Sequence, residues 1–242
     1  MINISLRQAA IIAGTTIVTM AILAGFAYGF VLDRLIVQGD ADLTARNIVA
    51  SEMLFRTAVY AFLLVLVSDV LAAWSLNVFL KQVSKELSLV TAWLRLVYAC
   101  ILGVAILNYS TILLLVSQSD YLNVFAEGQI NALILLLANA FDGIWAVGLV
   151  VFGFHLLILG YLVFRSGYVP KVFGLLLMIA SLCYLTSNSA SLILSNYGRY
   201  KGTVDMLISL PMIIGELGFG LWLLLRGAKV RTSTHAILST SH

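Results

Sequence analysis

Residues 143–164 read GIWAVGLVVFGFHLLILGYLVF, 22 consecutive positions without Asp, Glu, Lys or Arg. As a helix rising 1.5 Å per residue, such a run is about 33 Å long, matching the hydrocarbon core of a bilayer. Three more runs share this character. Twenty-five residues free of those four types separate Arg7 from Asp33, 24 separate Arg95 from Asp120, and 27 separate Lys171 from Arg199. Of the 242 residues, 62% are hydrophobic and 10% charged, whereas a water-soluble domain carries about 25% charged residues. The composition excludes a soluble globule and predicts an all-α integral membrane bundle.

Two further spans each hold one acid: Leu54–Leu80 contains Asp69 and Met206–Leu225 contains Glu216. An acid at a helix centre costs about 2.5–3.5 kcal/mol on insertion scales, and neighbouring Leu, Val and Ile at about −0.3 to −0.6 kcal/mol each offset it. Six spans are expected. Both termini are expected in the cytoplasm, because that orientation puts Lys81, Lys85, Arg165, Lys171 and the basic ends of the chain inside. The formal charge of +3 follows from this distribution and not from a nucleic-acid surface.

The joining segments are shorter than the roughly 40–60 residues of the smallest independent domains. Residues 1–226 therefore read as one transmembrane domain and 227–242 as a basic, disordered cytoplasmic tail. The first apolar stretch, about 23 residues, exceeds a secretory core and reads as a retained span. Cys100 and Cys183 fall inside spans and read as small packing residues, without disulfide or metal spacing.

Finer features predict local structure. Ala21, Gly25 and Gly29 form a small-residue ridge that lets another helix approach the first span. Asp40, with Asp42 in the following turn, is a helix N-cap, and the helix is predicted to run on into the second span. Ile130–Phe141 plus Gly143–Phe164 gives about 35 apolar positions, or about 52 Å of helix. Either one long helix projects outward, or Ile130–Ala140 is a separate short helix at the outer leaflet with Asp142-Gly143 as the turn. Ser181, Tyr184, Asn188, Ser191 and Ser195 recur every three or four residues and share one face. That stripe reads either as interhelical hydrogen bonding or as the wall of a polar cavity open to the outside.

Ionisable groups inside spans are costly and tend to line cavities or pathways. Counted from the inner helix ends, Asp69 lies about 16 Å deep, His155 about 14 Å and Glu216 about 15 Å. Arg95 lies about a turn inside the third span. These four form the candidate binding cluster: Asp69, His155 and Glu216 are expected to turn inward with at least two of the three meeting, while Arg95 either reaches toward them as compensating charge or snorkels to the headgroups. Arg56 and Asp142 belong to the outer rim. With one His inside the spans, and neither an H-E-x-x-H nor a G-x-S-x-G pattern, the sequence assigns no catalytic residue. It names no cofactor or metal either.

Several segments occur in a characteristic order. They are Gly39-Asp40, Phe55-Arg56, Trp93-Leu94-Arg95-Leu96, and Phe154 to Leu162 reading FHLLILGYL. Phe164 to Lys171, reading FRSGYVPK, comes next, then Gly215-Glu216-Leu217 and Leu221-Trp222-Leu223-Leu224 with Gly227. This order resembles the bacterial domain-of-unknown-function 4386 family over nearly the whole chain. The resemblance implies a multi-pass membrane protein and carries no established reaction. Within it, Gly167 and Pro170 read as a left-handed cap and a helix start, a tight hairpin with Arg165 and Lys171 at the headgroups.

The functional expectation is a polar-core binding or transport-type protein of the bacterial inner membrane. It would be surrounded by membrane lipids and act on a small solute or a proton. An intramembrane enzyme hydrolysing a lipid-like substrate is the alternative, and a structural partner of another membrane protein the third. The oligomeric state stays open.

Overall fold

A computed structural model describes residues 4–117, 120–194 and 201–227, the side chains of 121 and 201–211 excepted. All regular structure among the described residues is helical. Helix α1 is Leu6–Leu35, with π-type hydrogen bonding over Gly25–Leu32. Then come α2 Ala41–Ala50, α3 Glu52–Leu80, α4 Lys85–Leu115, α5 Glu127–Arg165, α6 Lys171–Ile193 and α7 Lys201–Leu225. Helices α1, α3, α4, α5 and α6 are long and apolar enough to cross a membrane, and the described apolar part of α7, Met212–Leu225, is shorter. Their outer faces are apolar, with Ile22, Leu63, Val104, Leu136 and Leu182 exposed. In water such faces would be unstable; in a bilayer they are solvated by acyl chains. The chain is a multi-pass membrane protein.

Two glycine contacts set the helix spacing. A Cβ at Gly174 of α6 would lie 2.6 Å from the Phe164 backbone nitrogen and 2.8 Å from the Gly160 carbonyl of α5. The two backbones touch there. On the other side, a Cβ at Gly14 of α1 would lie 2.5 Å from the Leu224 nitrogen of α7. A Cβ at Gly227 would come within 2.8 Å of Ala10, so α7 ends beside the start of α1. The ridge Ala21/Gly25/Gly29 is not where α1 is approached closely. No described atom lies within 4 Å of a Cβ at Gly25 or Gly29. Cys100 is likewise exposed and Cys183 half-buried, so Cys100 is not a packing residue.

Asp40 caps α2, accepting from the Leu43 N–H at 2.9 Å. The helix does not run on into the second span, because it breaks at Ser51 (φ −125°, ψ 35°). The break lets α2 bury Thr44, Ala45 and Ile48 instead of standing away from the bundle. Thr44 Oγ1 accepts from the Val37 N–H at 2.9 Å and donates to its carbonyl at 3.1 Å. Asn131 of α5 donates to Asp42 at 2.8 Å. The partner surface for α2 is thus the outward extension of α5, which is a single helix of 39 residues. Ile130–Ala140 is not separate, and Asp142-Gly143 lies inside the helix. The apolar residues on both sides outweigh the roughly 1 kcal/mol that a helical Gly costs.

At the opposite end, Gly167 takes the left-handed conformation (φ 73°) and Ser166 Oγ accepts from the Val169 N–H at 3.2 Å. Tyr168 donates to the Phe79 carbonyl at 2.8 Å and stacks edge-on against the Phe79 ring. Burial pushes its hydroxyl up to about 12, so it remains a donor across the ordinary pH range. This clasp fixes the α5–α6 turn to the end of α3.

Candidate functional site

Helix α4 buries Thr91, Arg95, Tyr98, Leu102 and Ala105 along one face, and α3 buries Phe62, Val65, Asp69, Ala72 and Leu76. Helical spacing thus places Arg95 and Asp69 on the faces where α3 and α4 meet the interior. On α5, His155 falls on the buried face with Phe152 and Leu159. Asp69, Arg95 and His155 are 1%, 3% and 0% exposed, so whatever neutralises them must come from the protein itself.

It does. Arg95 Nε and Nη2 both donate to Asp69 Oδ1, at 2.9 and 2.8 Å. Arg95 Nη1 lies 3.1 Å from His155 Nε2, and His155 Nδ1 lies 2.9 Å from the Thr91 carbonyl. A carbonyl can only accept, so Nδ1 carries the proton and Nε2 receives the guanidinium N–H. The imidazole is therefore neutral with both nitrogens occupied. Arg95 Nη2 also reaches Met20 Sδ at 3.7 Å, and its guanidinium carbon lies 5.2 Å from the Phe152 ring centroid, within cation–π range. Asp69 Oδ2 has no partner among the described residues.

The structure thus joins three of the four clustered residues in one row across α3, α4 and α5. Glu216 is not in that row. It stands on α7 across a cavity of about 380 Å³, which Asp69, Arg95 and Glu216 all line. Its carboxyl meets the Tyr184 hydroxyl of α6. The rest of the lining is apolar or aromatic, including Met20, Val65, Tyr98, Trp145, Leu149 and Phe152. Trp145 donates to the Tyr98 hydroxyl at 3.2 Å. Towards the α2 end, rings close the space, with Phe62 against Trp145 at 5.7 Å and Tyr109 stacked on Phe141 at 4.0 Å.

The polar stripe of α6 divides. Ser181 donates to the Gly153 carbonyl of α5 at 2.8 Å, a true interhelical bond, and Tyr184 lines the cavity. Asn188 and Ser191 bond within their own helix, to the Tyr184 carbonyl at 2.9 Å and the Asn188 carbonyl at 3.1 Å. Ser195 lies outside the described residues. Arg56 pairs with Glu52 at 2.7 Å on an exposed face.

Tyr98, Trp145, Phe152 and Met20 carry no charge and escaped the sequence reading. Among the described residues, no group of three or more His, Cys, Asp or Glu is placed to hold a metal. His155 has no lone pair to offer one.

A protein of Archaeoglobus fulgidus described as "Uncharacterized protein" is 29% identical over 173 residues, covering 72% of this chain and 85% of that one. No solved structure matches. The family described as "Domain of unknown function (DUF4386)" matches residues 12–227, a stretch that contains Asp69, Arg95, His155 and Glu216, and the chain belongs to that family.

Proposed function

We propose that this protein binds, and carries through the membrane, a small and largely apolar molecule held in the cavity between the Arg95 row and Glu216. The observation behind this reading is the cavity itself, an apolar and aromatic pocket with a few convergent polar groups, the usual constitution of a small-molecule site. Its volume is roughly two to three times the ~150 Å³ of an engineered cavity that binds benzene. Ala21 and Gly25 of α1 and Ile213 of α7 border the cavity and are also exposed on the outside of the bundle. In a bilayer that side faces lipid, so the ligand enters laterally. The proton-pathway version of the idea narrows to Glu216, since His155 has both nitrogens engaged.

In this reading α7 is the sixth span and residues 1–226 form one transmembrane domain in the bacterial inner membrane. Both termini are cytoplasmic. The neighbouring ends of α1 and α7 and the basic residues of the α3–α4 and α5–α6 turns support that topology. Native mass spectrometry of protein released gently from its membrane tests the function. One small-molecule adduct per chain is expected, and it should disappear in Ala24→Trp, which fills the cavity. A bare wild-type mass contradicts the reading.

A further inference from the structure

Three charged side chains line the cavity, and they do not balance. Arg95 cancels Asp69, and two of its three remaining N–H groups are turned to His155 and Met20. Glu216 has a phenol beside it, the Tyr184 hydroxyl. With Glu216 ionised, the lining carries one negative charge in excess. Asp69 Oδ2 is buried away from the cavity surface, so Glu216 is the carboxylate that the lining offers. One uncancelled charge therefore looks for a partner that brings positive charge and N–H groups.

A bare metal ion does not meet this demand. A hard cation takes about six oxygen ligands or more, and the rest of this wall is Met, Leu, Val and aromatic rings. An ammonium group does meet it. It offers up to three donors in a compact head, and charge-assisted bonds to carboxylates are the strong ones. The faces of Trp145, Phe152 and Tyr98 surround the same space and suit both a cation and an apolar body. Building on the cavity reading above, we propose that the ligand is a protonated amine with an apolar body, its ammonium held by Glu216. Its hydrocarbon part lies against the aromatic wall.

Three probes with the same apolar body and different heads test this: 4-phenylbutylamine, 4-phenylbutanol and 4-phenylbutyrate. They are titrated calorimetrically into the full chain in detergent at neutral pH, where the amine is charged. The amine should bind about tenfold more tightly than the alcohol, because the amine alone also neutralises the Glu216 charge, and the butyrate should bind most weakly. Glu216→Gln should abolish the amine's advantage, and continued binding of the alcohol by that variant reports that the cavity is intact. Equal binding of amine and alcohol by wild type, or tightest binding of butyrate, overturns the amine proposal and leaves the cavity reading standing. Failure of wild type to bind any of the three overturns both. The wild-type series decides the matter even if the variant does not fold.

Discussion

On the α3–α4–α5 wall of the cavity, each charged group finds a partner on the next helix. Asp69 holds Arg95, Arg95 holds His155, and His155 holds the Thr91 backbone. On the α6–α7 wall, Glu216 meets the Tyr184 hydroxyl. Both walls put ionisable residues at similar depth, yet among the described residues the first pairs opposite charges across helices and the second does not. Buried polarity in a membrane bundle thus takes two forms. One is consumed by the fold, and its removal strands a partner; the other is left facing a space, where it is available to a ligand. The first wall is scaffold and the second is site.

That contrast can be attacked from either side. The largest effect is expected from Arg95→Met, which leaves Asp69 buried and unpaired and should cost about 3–5 kcal/mol in stability, read by denaturant or thermal unfolding in detergent. A change no larger than that of an exposed substitution would mean that the row joins nothing. Next comes Gly174→Val, whose Cβ must enter the 2.6 Å gap to the Phe164 backbone and should cost about 1–3 kcal/mol through overpacking. The matching change Gly25→Val, on the open side of α1, should shift the melting point far less. If both cost the same, the open side is not open. Ser181→Ala removes the bond to the Gly153 carbonyl and should cost about 0.6 kcal/mol, the usual size of such contacts. The smallest effect is expected from Glu216→Gln. The amide can still meet the Tyr184 hydroxyl and has no charge to desolvate, so stability should be unchanged or slightly raised. A large loss would place Glu216 with the scaffold.

Much of this arrangement was legible in the sequence because membrane depth is a one-dimensional quantity. Residue counts from the helix ends put Asp69, His155 and Glu216 at one level, and charge-free runs marked the long apolar helices. Lateral position is a different matter. Whether two residues at one depth meet depends on helix rotation and neighbour order, and nothing in the chain states either. Arg95 therefore turned out to be the bridge of the row, and Glu216 lies apart from it. The same limit applies to the α6 stripe. Its periodicity identified a shared face, but Ser181 meets α5 while Asn188 and Ser191 bond back to their own helix. Breaks in the chain were hard to read for a further reason. Asp142-Gly143 looks like a turn, yet packing of α2 on α5 favours a continuous helix there and a break at Ser51, a position without Gly or Pro.

Two double-mutant cycles, measured side by side by unfolding in detergent, test the distinction between the walls most directly. One pairs Asp69→Leu with Arg95→Met, and the other pairs His155→Ala with Glu216→Gln. The account predicts strong coupling in the first, with the double variant more stable than Arg95→Met alone because no stranded charge remains. It predicts additivity within about 0.5 kcal/mol in the second, since no described contact joins those two side chains. Additivity of Asp69 with Arg95, or strong coupling of His155 with Glu216, would contradict it.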